Sequence, residues 1–140
     1  MEGERVLVIG AGPIGLSVIE FLKLAGAEVE LVDLSKKRRD FCQQHYPLQA
    51  CYEIAEGIEP ATLVFDCTGN PQSMQGAFRL VANGGKLVFV GLFVGDVTFH
   101  DPDFHRTEIT LLATRNSTPA EHRRIIELIE AGQIDRKSVV

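Results

Sequence analysis

The sequence predicts a single α/β domain with a doubly wound, six-stranded parallel sheet. Two observations carry that prediction. Short β-branched runs alternate with helical patterns along the 140 residues, as they do where helices cover both faces of a parallel sheet. The first run feeds a glycine-rich turn that opens a helix, and the next run ends on an acid.

The elements follow in order. Arg5 to Ile9 (RVLVI) reads as a buried first strand. After Gly10-Ala11-Gly12, Pro13 suits the first helical position because its missing N–H would be unbonded there anyway. Ile14, Val18, Leu22 and Ala25 recur at helical spacing, and Gly26 supplies a stop. Glu28 to Val32 forms the second strand, closed by Asp33. Ser35 caps a helix over Lys36 to His45, ended by Pro47. A short third strand lies around Gln49 to Tyr52, and Thr62 to Phe65 is the fourth. The turn Thr68-Gly69-Asn70-Pro71 leads into a helix that runs to about Ala82. Asn83-Gly84-Gly85 then reads as a tight turn into a fifth strand over Lys86 to Val90, and a loop joins this to a sixth over Glu108 to Ala113. Thr118, Pro119 and Glu121 make a capping box for a last helix, with Gly132 after its end.

Composition narrows the partners. A net charge of −5 argues against a nucleic-acid backbone, and no apolar stretch approaches the roughly 20 residues that span a bilayer. The first residues lack the layout of a secretory leader. Cys42, Cys51 and Cys67 are odd in number and have no CxxC spacing. They fit a reducing, cytoplasmic setting as apolar fillers.

Gly10-Ala11-Gly12-Pro13-Ile14-Gly15 is a GxGxxG. Gly10 permits the turn out of the strand, Gly12 lets the backbone approach a pyrophosphate, and Gly15 lets the helix pack closely on the sheet. The positive end of the helix then faces the anion. Asp33 stands 18 residues beyond Gly15, placed to accept hydrogen bonds from adenosine ribose hydroxyls. Together these predict a Rossmann domain. A 2′-phosphate would be repelled by Asp33, so NAD is expected over NADP. The basic run Lys36 to Arg39 is the feature that opposes this.

The segments VLVIGAGPIG, VDLSKKR, FDCTG, GGKLVFVGL and EITLLATRN resemble, in order, the coenzyme domain of the zinc-containing medium-chain alcohol and polyol (sorbitol-like) dehydrogenases. The resemblance implies an oxidoreductase that moves hydride between NAD and a secondary alcohol. It implies that Gly10, Gly12, Pro13, Ile14 and Gly15 cradle the pyrophosphate, that Asp33 holds the ribose, and that Arg38 lies over the adenosine. Cys67 and Thr68 then flank the cofactor, while Val90, Gly91, Leu92, Ala113, Thr114 and Arg115 line the nicotinamide. It implies too that residues 1–140 are the NAD-binding part alone. The zinc-bearing catalytic domain would lie outside the chain, so the isolated chain should bind NAD(H) but oxidise nothing. A homodimer through the edge strand 108–113 is expected on the same ground and from its apolar run. One departure is the short stretch from Tyr52 to Pro60, which leaves room for about two helical turns where the family has a fuller helix.

His100-Asp101-Pro102-Asp103-Phe104-His105 carries metal-ligand types, but such a polar stretch reads more readily as a surface connection, and no zinc is expected there. Cys67 reads as a filler sooner than a reactive thiol. Tyr46 and Tyr52 lack a lysine four positions on, which excludes a short-chain-dehydrogenase dyad. A stand-alone regulatory NAD(H) sensor of RCK type shares the GxGxxG and the acid, and VFVGL and LLATRN favour the dehydrogenase over it. A methyltransferase fits less well, because no acid precedes the first glycine within its strand.

Overall fold

The computed structural model describes residues 2–90, 94–114 and 127. Strands β1 (Arg5–Ile9), β2 (Glu28–Val32), β3 (Ala50–Tyr52), β4 (Ala61–Asp66), β5 (Val81–Phe89) and β6 (Thr110–Ala113) form one sheet in the order β3-β2-β1-β4-β5-β6. Every neighbouring pair is parallel. The expected doubly wound fold is therefore present, and the strand order reverses between β1 and β4. Ligands of such sheets bind beyond the carboxyl ends of the strands at that point.

Alternation along each strand sends side chains to opposite faces. One face packs Val6, Val8, Val29 and Leu31 against α1 (Pro13–Leu24) and Cys42 of α2 (Lys36–His45). The other packs Leu7, Ile9, Val64 and Leu87 under α3 (Pro71–Ala77), a 3₁₀ turn (Phe78–Leu80) and Phe104 of α4 (Asp101–Thr107). Leu7, Leu22, Leu31, Leu63 and Leu87 are almost wholly withdrawn from water. Each contributes about 1.5–3 kcal/mol of transfer free energy.

The structure corrects several expected boundaries. The helix expected to reach Ala82 ends at Ala77, and β5 already begins at Val81. Asn83-Gly84-Gly85 is not a turn before the strand but an irregularity within it. Pairing jumps from Ala61↔Val81 to Leu63↔Lys86. Gly84 sits at φ +74°, and a Cβ on Gly85 would stand 2.8 Å from the Thr62 carbonyl oxygen, so the loop is pressed onto β4 where only glycine fits. The loop expected before β6 contains α4. Its first turn holds Asp101 and Asp103 and its last turn His105 and Arg106, charges that match the helix dipole at both ends. Strand β6 starts at Thr110, β5 ends at Phe89 and β3 begins at Ala50, each one or two residues inside the expected limits. The expected last helix lies outside the described residues except for Glu127, which is helical and exposed.

The short crossover between β3 and β4 forms turns and no helix. In its place Arg5 reaches over β2: Nε and Nη2 donate to Glu30, and the guanidinium also donates to the carbonyls of Glu59 (2.8 Å) and Pro60 (3.1 Å). Tyr52 donates its hydroxyl to the same Glu30 carboxylate at 2.9 Å. The buried Glu30 thus finds its partners on the two strands that flank β2, and Arg5, shared between that acid and the carbonyls of Glu59 and Pro60, pins the loop.

Candidate functional site: the crevice between β1 and β4

Gly10 leaves β1 with φ +96°, and a Cβ there would stand 3.0 Å from the Cγ2 methyl of Thr68. A side chain at Gly15 would collide with the Gly10 carbonyl oxygen, so α1 can approach the turn only because Gly15 has none. Gly12 is the N-cap of α1, with extended backbone, no side-chain capping bond and Pro13 directly after it. Nothing lies within 4 Å of the place a Gly12 Cβ would occupy. A twelve-residue helix thus starts beside open space with no side-chain cap and no acid in its first turn, where its leading amides have no partner within the helix. An anionic diphosphate fits this cradle.

Asp33 closes β2 on one side of the turn and is 6% exposed. Its Oδ2 accepts the Ala11 N–H at 2.7 Å, and its Oδ1 accepts the Ser35 N–H at 2.8 Å. The acid therefore latches the glycine-rich turn to the start of α2, a role that sequence reasoning missed. Each carboxylate oxygen keeps a second lone pair for a ligand hydroxyl. Ser35 is the N-cap of α2 as expected, accepting the Arg38 N–H at 3.3 Å. Arg38 is mostly in solvent, with Nη1 3.9 Å from Asp33 Oδ2. Arg39 holds the turn between β2 and α2, donating to the carbonyls of Asp33 (2.9 Å) and Leu34 (3.1 Å).

On the other side of the turn β4 ends at Asp66, which is 0% exposed. Its Oδ1 accepts the Thr68 N–H (3.0 Å) and the Thr68 hydroxyl (2.6 Å), and its Oδ2 accepts the Ser73 hydroxyl (2.7 Å). Thr68 Oγ1 in turn accepts the Asn70 N–H at 3.1 Å, and Asn70 caps α3. Asp66 and Ser73 were absent from the sequence-based site. The only local signal was an acid ending an apolar strand.

Cys67 is buried beside Gly15. Burial, with the Asp66 charge next to it, pushes its thiol far above the ordinary range. Burial likewise raises Cys42, to about 11. Such protonated thiols are fillers and poor metal ligands. Val90 is buried at the end of β5, its N–H bonded to the Asp66 carbonyl at 2.9 Å. Ala113 and Thr114 stand at the end of β6, three strands from β1. The Thr114 hydroxyl is buried and has no partner among the described residues. Gly91, Leu92 and Arg115 lie outside the described residues.

The His100–His105 stretch is partitioned into local pairs on α4, His100 with Asp103 at 3.3 Å and His105 with Asp101 at 3.2 Å. Among the described residues no group of three or more His, Cys, Asp or Glu side chains is arranged for a metal. Among them, too, no helix is long and apolar enough to cross a membrane. A groove of about 880 Å³ lies elsewhere, between α3 and α4 at the amino ends of β4, β5 and β6, and includes Gln75, Arg79, Phe99 and Phe104. It is remote from the carboxyl-end crevice where the backbone chemistry converges.

Residues 13–131 match the family model described as zinc-binding dehydrogenase. The chain is 38% identical to L-galactonate-5-dehydrogenase of Escherichia coli, covering 94% of this chain and 42% of that protein. It is 30% identical to L-arabinitol 4-dehydrogenase of Aureobasidium melanogenum, covering 99% of this chain and 42% of that one. The chain thus spans well under half the length of these relatives. In structure it is similar to a Sinorhizobium meliloti protein assigned to the zinc-binding dehydrogenases and bound to NADP, with TM-score 0.75 and 25% identity over 94% of this chain and 42% of that one. The match supports the dehydrogenase reading over a stand-alone nucleotide sensor. With a reversed-order parallel sheet, an open helix end at Gly12 and an acid at the end of β2, the chain belongs to the zinc-binding dehydrogenase family.

Proposed function

We propose that residues 1–140 are the NAD-binding part of a dehydrogenase that oxidises a secondary alcohol of a polyol or sugar acid. The observation that carries this reading is the uncapped start of α1 at Gly12, open to solvent between Asp33 and Thr68. Gly10, Gly12, Ile14 and Gly15 bind the pyrophosphate through backbone, Asp33 binds the adenosine ribose, and Arg38 borders the adenine. Cys67, Thr68, Val90, Gly91, Leu92, Ala113, Thr114 and Arg115 serve the nicotinamide half. The nicotinamide, when bound, supplies the hydride acceptor. On this reading the metal that polarises the alcohol belongs to another part of the parent enzyme, and residues 1–140 by themselves bind nucleotide without turnover.

NAD is favoured because Asp33 is fixed by two backbone donors and cannot swing away from a 2′-phosphate. The NADP-bound neighbour and the nearby Arg38 make this a real contest. Calorimetric titration with NADH and NADPH decides it. Tighter NADH binding is expected, whereas equal or tighter NADPH binding overturns the preference and no binding of either overturns the reading. A cytoplasmic setting agrees with three free cysteines. A homodimer through 108–113 agrees with the edge position of β6 and its partly exposed Leu111 and Leu112. A monomer in sedimentation would dismiss that assembly.

A further inference from the structure

We infer that Asp66 is a positioning residue for the nicotinamide half of the nucleotide, acting through Thr68. The inference rests on the nucleotide reading above and adds a residue to it. Asp66 has no exposed surface, so it cannot touch a ligand. Its carboxylate gathers donors from two elements, the β4–α3 turn through Thr68 and α3 through Ser73. The consequence is a fixed Thr68 rotamer. The hydroxyl is turned inward, donating to Asp66 and accepting from Asn70, while the methyl faces Gly10. The crevice is thereby walled by a methyl group and not by a hydroxyl. The 2.6 Å separation is in the range of charge-assisted O–H···O⁻ bonds, which are about twice as strong as neutral ones.

The strand order tells which half of the ligand this wall serves. Asp33 ends β2 on one side of β1, and Asp66 ends β4 on the other, paired in register with Ile9. A dinucleotide laid across the switch point with its adenosine toward β2 has its other half against the β4–α3 turn. Losing the Asp66 network therefore harms binding of the whole dinucleotide and spares binding of its adenosine part.

The test compares NADH with AMP on the 140-residue chain by calorimetry. Asp66→Ala is expected to weaken NADH about tenfold and to leave AMP within about twofold. Asp66→Asn is expected to recover most of the loss, since its oxygen can still accept from Thr68 and its amide can donate to Ser73. Where Asp66→Ala does not fold, Thr68→Val carries the same comparison, keeping the methyl shape and removing the hydroxyl. Equal weakening of NADH and AMP, no weakening, or an Asp66→Asn no better than Asp66→Ala overturns the inference. A wild-type chain that binds neither nucleotide overturns the nucleotide reading itself, and this inference with it.

Discussion

Asp33 and Asp66 close the two strands that flank β1, and their surroundings differ in kind. Asp33 is pinned by two backbone N–H groups, remains 6% exposed and has a guanidinium 3.9 Å away. Asp66 is wholly buried and satisfied by one backbone and two hydroxyl donors, all from residues after it in the chain. The first acid can meet a ligand and latch a loop at once. The second can only shape what meets the ligand. A strand-end acid is therefore not one device, and its exposure and donor set decide which it is.

The comparison can be broken first at the glycine-rich turn between the two acids. Gly15→Val should have the largest effect. A side chain there must push α1 off the Gly10 carbonyl, and either loss of folding or a destabilisation of about 3 kcal/mol or more is expected in thermal unfolding by circular dichroism. Asp33→Ala comes next: it removes a ligand contact and a latch together. NADH and AMP should both weaken by about tenfold or more, unlike the selective loss expected at Asp66.

Glu30 supplies a contrast away from the crevice. Burial pushes this carboxyl up, but hydrogen bonds from Arg5 and Tyr52 outweigh burial and hold it below its ordinary value of 4.5. A depressed folded-state value means stability that is full above about pH 4.5 and is lost as pH falls through the folded value. Glu30→Gln should cost about 1–2 kcal/mol at neutral pH and flatten the acid limb of the unfolding profile. A limb identical to wild type would remove Glu30 from the account. Ser73→Ala should have the smallest effect, about threefold on NADH and nothing on AMP, because Thr68 still supplies two of the three donors to Asp66.

What was legible in the sequence was whatever one local pattern encodes. The doubly wound parallel sheet follows from alternation of element types, and Gly10 to Gly15 with Asp33 are recognisable because each glycine answers a need of the same turn. Ser35 as the cap of α2 was readable for that reason too. What escaped depends on distant partners. The irregularity at residues 83–85 is set by Thr62 on another strand. Asp66 depends on Ser73 across a turn, and Arg5 meets Glu30 from 25 residues away. Helix α4 escaped because its seven residues present no apolar stripe, so charge at its ends was the only cue.

The most direct measurement of the central claim is amide NMR of the ¹⁵N-labelled chain titrated with NADH. The account predicts shifts concentrated at residues 10–16, 33–39 and 66–70, on both sides of β1. Shifts confined to the groove around Gln75, Arg79, Phe99 and Phe104, with the glycine-rich turn unmoved, would contradict it.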